Sequence, residues 1–384
     1  MAALSLPPLA LGDPTLADRH LLALPAGVEP EEIEVLAASR FRNVRWEDRA
    51  ASEAPTRTGM LPAVTAALGI RSVPRASARP ARALRLARLS SLAGPYGIVA
   101  HDAIALGLPA STVMVWVLQA PRERGERPWP GGDRDGLKRA FPDGLPIREE
   151  ERVLQWLVAA ARRLGGAVRT QTGVVLTPDP DAATDLTVLT DRWLEPAVVL
   201  AVVQTVQPRA YLSVATPGSW AGPTVLAGRG SHGAVGGVSE VGGSGLRAAL
   251  EEHGVADPDD RRRLMAEADA YDELVLAAPP PAEAFGVLVD LGMDGMLAVE
   301  VAACEQLPPL MEDLPWTKAG VVAYRVRWEP FEIEQIEREK PSFEHRVARS
   351  RSAPLIATLT KALHAVAGGE VADEADFLVD PTDL

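Results

Sequence analysis

The chain has 384 residues, 47% hydrophobic and 24% charged, enough for two or three domains with a sizeable core. A formal net charge of −13 works against nucleic acid or an anionic membrane surface unless basic groups are clustered. Cys304, the one cysteine, excludes an intramolecular disulfide and any zinc site built from several cysteines, and it suits a reducing cytosol.

Residues 1–17 read as irregular. No basic residue precedes their apolar stretch, and Pro7 and Pro8 interrupt it, so no signal peptide is expected. Residues 20–24 predict a strand, 30–38 a helix opening on Pro30 with Glu31 and Glu32 in its first turn, and 43–46 a returning strand. Residues 48–60 are loop-like, and 61–68 fit a short helix.

The one basic stretch follows. Arg71, Arg75, Arg79, Arg82, Arg85 and Arg88 recur every three or four residues, with no acid between 55 and 101. Guanidinium forks at this spacing suit phosphates or an acidic partner. However, Pro74 and Pro80 forbid a continuous helix, and no aromatic lies between 72 and 95 to stack on bases. A solvated linker with a short helix is expected, and nucleic acid is not.

Residues 103–121 carry no charge over 19 positions, close to a bilayer's span, but Gly107 and Pro109 break them. A turn and a buried strand at 112–118 are expected instead of a membrane segment. Residues 121–147 form a long polar connection. In it Asp133 and Asp135 resemble the start of a calcium loop, but Leu137, Lys138 and Gly144 stand where such a loop needs other residues.

The strongest pattern covers residues 148–181. Three acids, Glu149 to Glu151, precede Val153, Leu154, Leu157, Val158, Ala161 and Leu164 at helical spacing, with Arg162 and Arg163 near the end. Gly165 and Gly166 close the helix, 167–177 is extended, and Pro178 begins a turn. The arrangement returns at the C-terminus, where a helix over 354–367, Gly368 and Gly369, and Phe377 to Val379 repeat the order. Setting Gly166 against Gly369 aligns both stretches without a gap, with five identities over the twenty positions 159–178. A strand precedes each helix, at 112–118 and 320–328.

Between these stretches, residues 185–190 predict a strand, 196–206 a helix and 210–214 another strand. Residues 217–245 are glycine-rich and read as a linker or mobile insertion. Helices are expected from about 246 and 261, and a strand at 273–276. Residues 281–291 fit a helix or a further strand, for which Asp294-Gly295 would supply a hairpin turn, and comparison with 185–214 favours the helix; 296–301 read as a strand and 329–350 as exposed.

No set of residues meets a catalytic standard. The motif Gly228-Arg-Gly230-Ser-His-Gly233 fits G-x-G-x-x-G, but glycines follow it where a helix must start. No lysine follows a glycine, which excludes a P-loop. His101-Asp102 lacks further metal ligands at a helical spacing, and a polar pair at a strand end accounts for it. Asp179, Asp181 and Asp185 cluster in a predicted loop, where proline-flanked acids are ordinary turn residues. Cys304 reads as a small buried residue rather than a thiolate.

The expected fold is α+β: an irregular segment 1–17 and two related layered halves, 18–181 and 182–384. Each has helices on a mostly antiparallel sheet, in a ferredoxin-like β-α-β-β-α-β order. The expected function is that of a non-catalytic interaction or regulatory protein of the cytoplasm, with a protein partner, no membrane contact and no cofactor. Two alternatives stand: a hydrolase-type enzyme using His101, Asp179 and Asp181 between the halves, and a binder of acidic partners or nucleic acid through Arg71 to Arg88.

Overall fold

The computed structural model describes residues 6–47, 82–213, 259, 262, 263, 266, 284–304 and 306–384. Compactness divides the chain into two units, residues 1–212 with 286–384, and residues 213–285. Both sheets fall in the first unit, apart from Ser213 of one strand and Ala284 and Phe285 of another.

The first sheet grows from β1 (His20–Pro25), an almost wholly buried strand followed by α1 (Pro30–Ala38). Then come β2 (Arg45–Glu47), β3 (Arg82–Arg85), β4 (Ser91–Gly97), the short α2 (Ala100–Ala105) and β5 (Thr112–Gln119). α3 (Leu137–Ala140) and α4 (Arg148–Arg163) lead to β6 (Ala167–Arg169) and β7 (Val175–Leu176). The second sheet has β8 (Leu186–Thr190), α5 (Pro196–Val206), β9 (Tyr211–Ser213), β10 (Ala284–Asp290), β11 (Met296–Ala303) and β12 (Val322–Glu329). α6 (Phe343–Ala367), β13 (Glu370–Asp373) and β14 (Leu378–Val379) complete it.

The sheets share one topology. The first runs β2-β3-β4-β5-β1-β6-β7, and the second, read from its far edge, runs β9-β10-β11-β12-β8-β13-β14. The register agrees as well. Leu22 lies between Trp116 and Val168 in the first sheet, as Val188 lies between Tyr324 and Val371 in the second. Val168 opposite Leu176 matches Val371 opposite Val379. The inner strands β6-β1-β5-β4 have the antiparallel order of a ferredoxin-like unit, as do β13-β8-β12-β11. The expected α+β architecture of two layered halves is therefore present, with each unit widened to seven strands.

Local chemistry explains both the agreements and the differences. The stripe on α4 buries Val153, Leu154, Leu157, Val158 and Ala161 against Leu22, Trp116 and Val168 of the sheet. Trp116 and Tyr324 are fully buried at equivalent positions. The Tyr324 hydroxyl donates to the Arg192 carbonyl at 2.7 Å and accepts from the Leu194 N–H at 2.7 Å.

Residues 284–290, expected as helix, form a strand because alternate side chains are buried, a period of two. The last helix starts at Phe343, capped by Ser342, which accepts the His345 N–H at 3.1 Å. Pro354, expected to open that helix, lies inside it. His101 and Asp102 belong to α2 rather than to a strand end. The arginine stretch from Arg82 enters a strand instead of a linker.

The glycine pairs that close α4 and α6 meet one demand twice. A Cβ on Gly166 would fall on the Ala23 carbonyl, and one on Gly369 on the Leu189 carbonyl, at equivalent places on β1 and β8. Gly368 and Gly369 also take φ of +71° and +91°. Gly166→Ala and Gly369→Ala are each expected to cost about 1–3 kcal/mol in urea denaturation.

A residue from the second half completes the first half's core. Phe377, from the turn between β13 and β14, is 1% exposed and packs in the cluster that holds Trp116 and α4. Phe377→Ala should lower stability by about 3–5 kcal/mol. Urea melts followed by tryptophan fluorescence would measure the loss.

Candidate functional site

Between the halves lies a cleft whose cavity measures about 130 Å³. The β5–α4 connection supplies Arg134 and Asp135, and the segment entering β8 supplies Asp179, Thr184 and Asp185. β12 contributes Arg327 and Trp328, α6 contributes His345 and Arg349, and the β13–β14 turn contributes Glu374. Arg338 and Glu339 close it. Four arginines and five carboxylates thus face one small space.

Three of these arginines, all but Arg338, and all five carboxylates are paired. Arg349, 7% exposed, donates to Asp179 at 2.6 Å. Arg134 reaches Glu374 at 2.6 Å, and buried Arg162 holds both Glu374, at 3.1 Å, and Asp135. Arg139 of α3 grips Glu339 with two bonds, at 2.6 and 3.1 Å. Most of these pairs join one half to the other, and a backbone bond from the Asp133 N–H to the Glu337 carbonyl at 2.7 Å joins them again. An arginine fork against a carboxylate fixes orientation as well as distance.

Two groups in the cleft sit away from their ordinary protonation. Asp185 accepts the Trp328 N–H at 3.3 Å, with Arg327 at 3.5 Å. Burial nevertheless pushes its carboxyl up to about 6, helped by Glu374 and opposed by the Trp328 N–H and the Arg327 charge. His345 lies against the Trp328 ring with centroids 4.9 Å apart. Burial, and then the Arg349 charge, hold its imidazole below the usual range, against a partial pull from Glu332.

A second buried cluster lies in the first half. His20 accepts the Gln171 N–H on Nδ1 at 3.2 Å, so Nε2 carries the proton and donates to Glu150 at 3.3 Å. Glu150 also accepts the Glu123 N–H at 2.7 Å and one Nη1–H of Arg124. Burial raises the Glu150 carboxyl, but the His20 bond, the Glu123 N–H and the Arg124 charge outweigh it and keep the group below its ordinary value. Both imidazole nitrogens are occupied, so the cluster holds β1 against α4 and offers no free base.

Of the acids singled out in the sequence, Asp179 and Asp185 line the cleft, whereas Asp181 is exposed outside it. His101 is exposed on α2 and does not line the cleft. The histidine brought beside Asp179 is His345. Arg82 lies 5.0 Å over the Trp46 ring, Arg85 donates to Glu47 at 2.8 Å, and Arg88 is exposed with its carbonyl bonded to Arg85. Arg71, Arg75, Arg79 and the glycine-rich residues 217–245 lie outside the described residues. Asp133 caps α3, accepting the Lys138 and Arg139 N–H groups at 2.9 Å each. Among the described residues, no group of three or more His, Cys, Asp or Glu side chains is placed to hold a metal ion, and no helix is long and apolar enough to cross a membrane.

No family model matches the chain, and no curated protein or solved structure matches it.

Asp185 makes stability depend on pH in a stated direction. Its folded value lies above the ordinary 3.8, so the folded state binds the proton more tightly. The stability this supplies is complete below about 4 and is lost as pH rises through about 6, a span on the order of 3 kcal/mol. Asp185→Asn should therefore gain stability relative to the parent chain between pH 4 and pH 7 in urea melts. A variant most damaging at pH 7 would contradict the assignment.

Proposed function

We propose that the chain is a non-catalytic interaction or regulatory protein, working in the cytoplasm, whose two halves form one rigid platform for a protein partner. The observation that carries this reading is the pairing of charge in the cleft: Arg349 with Asp179, Arg134 and Arg162 with Glu374, Arg162 with Asp135, and Arg327 with Asp185. Catalysis needs a group free to change partners during the reaction, such as a nucleophile beside a base that a third residue orients. The cleft offers carboxylates already held by guanidinium groups, which is how a seam is locked.

One observation favours a second reading, a hydrolase-type enzyme. Asp185 and His345 share the cavity, and burial raises the carboxyl while it lowers the imidazole, the kind of displacement that acid–base groups in active sites often show. It ranks below the first because neither Ser nor Cys lines the cavity as a nucleophile. A reading as a binder of acidic partners has less support, since Arg82 and Arg85 already contact Trp46 and Glu47.

Turnover separates the two main readings. The purified chain should hydrolyse p-nitrophenyl phosphate and p-nitrophenyl acetate no faster than Asp185→Asn or His345→Gln. Hydrolysis that both substitutions abolish, with folding intact by circular dichroism, would establish the enzyme instead.

A further inference from the structure

The solvent-side face of the first sheet differs from that of its sister. Register places Ala93 beside Val117 in the first sheet and Glu300 beside Arg325 in the second, both next to the equivalent buried aromatics Trp116 and Tyr324. In the second sheet that pair is an ordinary exposed ion pair, 4.0 Å apart. In the first, Ala83, Ala93 and Val117 instead form a row of small apolar side chains across β3, β4 and β5. They floor a cavity of about 450 Å³.

The N-terminal segment builds one wall. Leu9 donates its N–H to the Gly97 carbonyl at 3.1 Å, and Gly97 donates to the Pro7 carbonyl at 2.9 Å, which brings Leu9, Ala10 and Leu16 alongside the floor. The neighbouring row is polar. Ser91 lies opposite Gln119, and continuing the β1–β5 register sets Arg19 beside Gln119. Among the described residues, these three side chains have no hydrogen bond or ion pair, although Arg85 in the same row is tied to Glu47 at 2.8 Å. The cavity therefore has an apolar floor and, at one end, a guanidinium flanked by an amide and a hydroxyl; two carboxylates also line it, Glu47, beside Ala83 and held by Arg85, and Asp13, which accepts the Thr15 N–H and hydroxyl.

We propose that this face binds a small organic carboxylate with an unbranched apolar body. Its carboxylate would sit at Arg19, Gln119 and Ser91, and its chain would run over Val117, Ala93 and Ala83. Arginine meets a carboxylate with two parallel N–H donors, which a lone surface arginine facing water does not exploit. Three steps between strands about 4.8 Å apart separate Arg19 on β1's end from Ala83 on β3, so roughly 14 Å is available. After allowance for the head-group contact, that length suits a medium-chain acid, and the cavity lies within the usual size range for small-molecule sites. This inference uses a different face from the cleft, so its failure leaves the reading of the cleft intact.

The test is calorimetric titration of the full chain with octanoate, and with octan-1-ol as a neutral match. Octanoate should bind at one saturable site, and octan-1-ol at least about tenfold more weakly, since a hydrogen-bonded charge contributes about that much. Arg19→Gln should weaken octanoate by about tenfold or more while leaving the melting temperature unchanged. Ala93→Glu, which installs the sister sheet's residue, should abolish binding, and Arg325→Gln on the second sheet should not alter it. Absence of saturable octanoate binding, equal affinity for the alcohol, or an unaltered Arg19→Gln would each overturn the proposal. Should Ala93→Glu fail to fold, the Arg19→Gln titration and the alcohol comparison still decide it.

Discussion

The burial of Phe377 inside the core of the opposite half is the contact on which the rest of the architecture rests. A hydrophobic side chain inserted this way makes neither half complete alone, because removing it leaves a void beneath Trp116 and α4. Around it the charges arrange themselves. Glu374, three residues earlier in the same turn, receives Arg134 and Arg162, and Asp376 receives Arg40. The apolar contact supplies the free energy and the ion pairs supply the orientation, which is the division of labour expected when guanidinium groups are desolvated.

That arrangement explains how the cleft acquires unusual protonation. Joining the halves encloses acids contributed by both, and enclosure alone raises a carboxyl that its partners only partly satisfy. Asp185 meets this condition: its guanidinium, Arg327, is shared with Glu300 at 3.0 Å. Displaced protonation here follows from assembly, and it makes the cleft sensitive to acidity whether or not a ligand ever enters.

Much of the fold was legible in the sequence because its signals are local. The α4 stripe, the glycine pairs and the strands at 112–119 and 322–329 each declare themselves by spacing, and the doubled Gly-Gly pointed correctly to two similar halves. Where reasoning failed, a longer-range force had won. Residues 284–290 alternate in burial, but comparison with a helical neighbour masked the pattern. Glu150 and Arg162 match the dipole at the two ends of the helix, yet Glu150 lies four residues before Leu154 and Arg162 four after Val158, on the buried face. That spacing was the available sign that both are interior charges. His345 stands four residues before Arg349 on one helix, but only the packing of α6 over β12 sets it beside Trp328.

The outermost strands carry a further consequence. β7 and β14 have two residues each, so among the described residues each sheet has one edge that ends on a very short strand. A rim of that length exposes too few unpaired backbone groups to recruit another chain's strand, which is how antiparallel sheets commonly avoid templating fibrils. Continuous sheet growth from the β7 and β14 edges is thereby disfavoured, and copies that meet there do so through side-chain surfaces rather than open backbone.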